Sequence, residues 1–107
     1  MGVLTVSTVE IADHLVVRVG GECDMSVSDE LAVALTAATA SSPRTEVDLG
    51  ALRFVDSSGL HVLVMAYHAA QSRRAVLYVT NAVGMVATVL ELTGVGALLA
   101  PPSQDAR

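Results

Sequence analysis

Two neighbouring serines, Ser57 and Ser58, follow Asp56 and precede Gly59 at the point where one periodicity ends and another begins. Upstream, Val47 and Leu49 alternate with Glu46 and Asp48, as in a strand; downstream, Leu60, Leu63, Val64 and Tyr67 recur at helical spacing. The serines therefore sit at a helix start. Serine and aspartate side chains there accept hydrogen bonds from backbone N–H groups that the first turn leaves without partners. Helix capping is one role for Asp56, Ser57 and Ser58. The other role is covalent. A phosphate on a serine hydroxyl would face the positive end of the helix dipole and its free donors. The Asp56 carboxylate beside it would repel the added charge, so phosphorylation would change the local surface strongly. Gly59 removes side-chain bulk beside the serines, which leaves room for a partner. Nucleophilic catalysis is the least supported use: a serine nucleophile needs an activating base and an oxyanion hole. The Gly-x-Ser-x-Gly elbow is absent around Ser57, and His61, one helical turn along, points away from a capping residue.

The elements that must position this segment alternate in type. Residues 3–9 read as a strand, Asp13-His14 as a turn, and residues 15–19 as a second strand ended by Gly20-Gly21. The short separation predicts an antiparallel hairpin. After Glu22, Cys23 and Asp24, the spacing of Leu31, Ala34, Leu35 and Ala38 predicts a helix, with Ser26 and Asp29 as a loose capping pair. Pro43 marks a loop. A strand over residues 45–49 follows, then a loop through Gly50 and Arg53 in which Leu52 and Phe54 point inward beneath the serines. The second helix is expected over residues 58–72 and a buried strand over residues 75–79. Asn81 is placed to cap a third helix with Val83, Val86, Ala87 and Leu90 on its stripe and Gly94 as its stop. Met85 and Val89 fall off that stripe. Residues 97–100 form a possible short last strand, and residues 101–107 read as a disordered tail. The order β-β-α-β-α-β-α implies an α/β fold with a small mixed sheet of about four to five strands and three to four helices.

Composition narrows the function classes. The chain has 107 residues, of which 52% are hydrophobic, which suits one domain over residues 1–100 with its own core. Phe54, Tyr67 and Tyr78 are its only aromatics, so that core must be aliphatic. The net charge is −5 and there is no lysine, which argues against direct nucleic-acid binding. Cys23 stands alone, so no intramolecular disulfide is possible, and its expected role is that of a small apolar core residue. No basic leader opens the sequence and no apolar run reaches membrane-spanning length; a cytoplasmic protein without membrane attachment is expected. His61 and His68 are seven residues apart, not the four typical of a helical zinc pair, and are read as solvent-facing, with no metal expected. Without a phosphate-cradling Gly-Lys loop, no nucleotide cofactor is expected either.

Val55-Asp56-Ser57-Ser58-Gly59-Leu60, after a short strand and loop, resembles the signature of STAS domains, and in particular that of bacterial anti-sigma factor antagonists. Gly21-Glu22-Cys23-Asp24 is similar to that family's Gly-Glu-Leu-Asp, and Leu92-Thr93-Gly94-Val95 to its Leu-Thr-Gly-Leu. The resemblance runs over residues 3–99. It implies the same mixed α/β architecture and a protein-interaction module, not an enzyme. An antagonist of this family binds an anti-sigma factor while unphosphorylated, so freeing a sigma factor. The anti-sigma factor is often a serine kinase that switches the antagonist off, and a serine phosphatase resets it. By motif position the acceptor is Ser57, and the resemblance places Asp24, Asp56, Ser57, Ser58 and Gly59 in the partner-binding surface, although Asp24 by residue type alone is a loop carboxylate that helps the turn; His61, one turn from Ser57, is added as a residue able to alter partner contacts. A monomer is expected when unbound. The sequence departs from the family at Cys23, at His61 and at Arg73-Arg74, where Leu, Gly and Gly-Gly are usual. The alternative is a STAS adaptor or sensor subunit that works without phosphorylation, with Ser57 only a cap.

Overall fold

The computed structural model describes residues 2–102; the expected tail beyond Pro102 lies outside them. Four strands and four helices follow one another as β1 (Leu4–Ile11), β2 (His14–Cys23), α1 (Ser28–Ser41), β3 (Arg44–Val55), α2 (Ser57–Ser72), β4 (Val76–Thr80), α3 (Gly84–Thr93) and α4 (Val95–Leu98). The sheet order is β1-β2-β3-β4. β1 and β2 form the expected antiparallel hairpin, closed at Ala12-Asp13, while β2, β3 and β4 run parallel. The two connections α1 and α2 pack on each other and against the sheet.

Alternation along the strands separates two faces. Val17, Val19, Val47, Leu49, Leu77 and Val79 enter one aliphatic core with Leu31 and Leu35 of α1, Leu63 and Ala70 of α2, and Val86 and Leu90 of α3. The other face holds Val16 and Tyr78 among charged residues. His14 stands between Asp13 and Glu46 at 3.7 and 3.6 Å, Arg18 is 3.8 Å from Asp48, and the Arg44 guanidinium lies 5.2 Å from the Tyr78 ring centre. Truncating a fully buried side chain such as Leu63 to alanine costs about 2–5 kcal/mol in a core of this kind.

Both central strands are longer than their sequence pattern predicts. Gly20-Gly21 does not end β2. Gly21 has φ +86, and a Cβ there would sit 2.1 Å from the Val3 carbonyl oxygen. The glycine makes an irregularity in the β2–β3 register through which β2 continues to Cys23. β3 likewise runs through Gly50 and Arg53 to Val55 instead of passing into a loop. Leu52 is buried as expected, but Phe54 is 40% exposed: Val55 takes the buried position at the end of the strand, so its neighbour Phe54 falls on the opposite face.

At the other end of the chain, Asn81 does not cap α3. It adopts φ 64 after β4 and donates to Asp48 Oδ1 at 3.1 Å, while α3 begins at Gly84. Val83 is exposed as a consequence, and Val89 is packed on the core. Gly94 ends α3 with φ 81. The possible last strand is instead the short helix α4; Leu99 beyond it is buried, and its carbonyl accepts the Val79 N–H at 2.9 Å. Pro101 and Pro102 have no N–H with which to extend that contact into a ladder. The Arg73-Arg74 turn forms with Arg74 in the left-handed region at φ 60. Among the described residues, no helix is long and apolar enough to cross a membrane.

Candidate functional site

β2 and β3 run parallel and end level, with Cys23 paired to Val55. Asp24 and Asp56 therefore leave the sheet side by side, and the Asp56 N–H donates to the Cys23 carbonyl at 3.1 Å. Each aspartate then folds its loop on the serine two residues ahead. Asp24 Oδ1 accepts from Ser26 N at 2.9 Å and Ser26 Oγ at 2.6 Å. Asp56 Oδ1 accepts from Ser58 N at 2.9 Å and Ser58 Oγ at 2.5 Å, and from Gly59 N at 3.3 Å. Asp56 is thus the N-cap of α2, as its residue type predicts.

The two serines differ. Ser58 is half-buried and its hydroxyl is held by Asp56. Ser57 is exposed, and among the described residues its hydroxyl has no hydrogen-bond partner, neither a base nor a carboxylate. The free hydroxyl stands at the N-terminus of α2, where the dipole favours an anion, while the Ser58 and Gly59 N–H groups are already taken by Asp56. His61 is also exposed on α2 and, with Asp29 and Met65, lines an open groove between α1 and α2. His68 is exposed too, against the edge of Tyr67. Among the described residues, no group of three or more His, Cys, Asp and Glu could hold a metal.

Gly59 is not part of the outward surface. It is buried, and a Cβ there would lie 2.7 Å from Val55 Cγ2 and 2.9 Å from Cys23 Sγ. The glycine lets the first turn of α2 settle on the ends of β2 and β3; the room it leaves is filled from inside. Cys23 is the fully buried core residue expected, and burial, with the charges of Asp56 and Asp24, pushes its thiol up to about 11.

Hydrogen bonds from Ser58 and Ser26 hold the carboxyls of Asp56 and Asp24, respectively, below the ordinary carboxylate range. The charge of Asp24 acts in the opposite direction on Asp56, so the two anions feel each other. Two carboxylates thus stand beside Ser57 before any modification.

Ser26 was not legible as a member of this site. Its spacing to Asp29 suggests a capping pair, but α1 begins after Val27 with no side-chain cap, and Ser26 bonds backwards to Asp24. The usable signal is the repeated Asp-x-Ser spacing of Asp24 and Ser26, and of Asp56 and Ser58.

The family model described as "Mlab, STAS domain" matches residues 7–100. Among solved structures, an anti-sigma factor antagonist from Mycobacterium paratuberculosis is similar at 26% identity and a TM-score of 0.79, over 96% of this chain and 89% of that one. The unphosphorylated anti-sigma factor antagonist SpoIIAA is similar at 16% identity and 0.75, over 94% and 90% of the two chains. The phosphorylated form of SpoIIAA, a Bacillus cell-fate determinant, is similar at 15% and 0.70, over 94% of each. At the identities of the last two the likeness is one of fold. No curated protein sequence matches the chain.

Proposed function

The chain belongs to the STAS domain family, and on that footing we propose that it is an anti-sigma factor antagonist switched by phosphorylation of Ser57. In its unphosphorylated form it binds an anti-sigma factor of the serine-kinase type and so frees a sigma factor. Phosphate on Ser57 ends the binding, and a serine phosphatase restores it. The kinase partner brings the nucleotide and its Mg²⁺. Residues 1–100 form the working STAS domain, a cytoplasmic monomer when unbound.

One observation carries this reading: of the two adjacent serines, Ser57 is exposed with no hydrogen-bond partner for its hydroxyl among the described residues, whereas Asp56 holds the hydroxyl of Ser58. A kinase can reach the first without breaking a cap. The docking surface is then Asp24, Asp56, Ser57, Ser58 and His61, with Gly59 supporting it from beneath. A phosphate adds about −1.5 to −2 charges beside two carboxylates that are already ionised. A partner surface that accepts a neutral hydroxyl there would meet strong repulsion, with no refolding of the antagonist needed.

The test is partner affinity measured by calorimetry for the wild type, Ser57→Ala and Ser57→Asp, against kinase-type anti-sigma factors of the same genome. Ser57→Ala should bind as the wild type does, and Ser57→Asp at least about tenfold more weakly, a factor that corresponds to 1.4 kcal/mol. Equal binding by both variants would count against a charge switch and leave Ser57 as a helix-start residue of a phosphorylation-independent adaptor.

A further inference from the structure

The loop that carries Asp24 is held from behind by the start of the chain. Gly2 is buried, its N–H donates to Ser26 Oγ at 3.4 Å, and the next carbonyl, that of Val3, accepts the Glu22 N–H at 2.8 Å. A Cβ on residue 2 would lie 2.8 Å from Asp24 Oδ1 and 2.9 Å from the Glu22 carbonyl oxygen. A side chain on residue 2 fits only if Asp24 or residue 2 itself moves. Ser26 Oγ, which accepts from Gly2, is the same hydroxyl that donates to Asp24 Oδ1 at 2.6 Å. Gly2, Ser26 and Asp24 thus form one chain of contacts leading to the carboxylate beside the Ser57 loop.

We infer that Gly2 is a positioning residue of the interaction surface: by packing directly against Asp24 and bonding Ser26, it sets where the Asp24 carboxylate stands relative to Ser57. The inference deepens the proposed function and rests on it where partner binding is concerned. Gly2→Ala places a methyl group where Asp24 Oδ1 and the Glu22 carbonyl now lie. The Glu22 carbonyl belongs to strand β2, so what yields is the Asp24 side chain or residue 2 itself. In either event the Gly2–Ser26–Asp24 chain is broken, while the cap on α2 is untouched.

The test combines two readouts. Carboxyl titration of Asp24 and Asp56 by carbon-detected NMR requires no partner. In Gly2→Ala the midpoint of Asp24 should rise toward the ordinary carboxylate value, and that of Asp56 should keep its depression. Affinity for the anti-sigma factor should fall about fivefold, the scale of one hydrogen bond lost, and Gly2→Ala should add nothing once Asp24→Asn is present. An unchanged Asp24 midpoint in Gly2→Ala would overturn the inference, as would an equal loss of affinity in the Asp24→Asn background. If no anti-sigma factor binds even the wild type, the proposed function fails, and the titration alone decides the positioning role of Gly2.

Discussion

Asp24 and Asp56 close the same turn twice. Each follows the last residue of a parallel strand, and each accepts both the N–H and the hydroxyl of the serine two residues on through its Oδ1. Since Cys23 and Val55 are paired, the two turns stand side by side. The residues between aspartate and serine, Met25 and Ser57, are therefore presented outward together; Met25 is 79% exposed. The pairing explains why a phosphate on Ser57 would be felt by the Asp24 loop, although 33 positions separate the two residues in the chain.

The caps make a distinction within the serine pair. Ser58→Ala removes a hydroxyl that donates to Asp56 but leaves the Ser57 hydroxyl in place. Phosphorylation should persist in Ser58→Ala and be absent in Ser57→Ala, as read by phosphopeptide mapping. Asp56→Ala, which removes the N-cap, should cost about 1 kcal/mol in denaturant unfolding.

Gly59 offers a packing test. Gly59→Ala drives a methyl group into Val55 and Cys23 at the ends of two strands. Overpacking of this sort costs about 1–3 kcal/mol, and the urea midpoint should fall accordingly. Had Gly59 faced a partner, the same variant would lower affinity without lowering stability.

The pH dependence has a definite sign at each end. The carboxyls of Asp24 and Asp56 are held below their ordinary value of 3.8 in the fold. Their contribution to stability is present above pH 3.8 and is lost as pH falls through the depressed folded values. The thiol of Cys23 is raised from 9.0 to about 11, so its neutral form favours the fold fully below pH 9 and that contribution is lost as pH rises toward 11. Denaturant midpoints measured from pH 2 to pH 11 should decline at both ends. Cys23→Ser should flatten the alkaline decline and leave the acid one in place.

The same thiol predicts a labelling result. Cys23 is fully buried and protonated at neutral pH, and the thiolate is the reactive form. A thiol reagent at pH 7.5 should label the unfolded chain within minutes and the native chain only at the rate of opening, with no fast phase.

Much of this was legible in the sequence. The helical stripe after Gly59, the Asp56 cap, the burial of Cys23 and the stop at Gly94 all follow from local residue chemistry. What the sequence hid was set by contacts between distant segments. β2 and β3 read short because Gly20-Gly21 and Gly50 are local turn signals; their extension to Cys23 and Val55 depends on each strand pairing with the other. Gly59 carries no mark that says which way its missing side chain would point. The bond from Gly2 to Ser26 spans 24 positions, so no local pattern announces it. Asn81 read as a cap because asparagine suits one, but Asp48 on the neighbouring strand claims its amide.

The switch at Ser57 is read most directly by mass. Intact mass should be recorded after incubation with ATP, Mg²⁺ and each kinase-type anti-sigma factor of the same genome, with Ser57→Ala as the control and peptide mapping of the product. One candidate should add a single phosphate, on Ser57, with no gain in the control. A candidate that binds the protein tightly yet adds no phosphate, or adds it to Ser58, would show that Ser57 is not the switch.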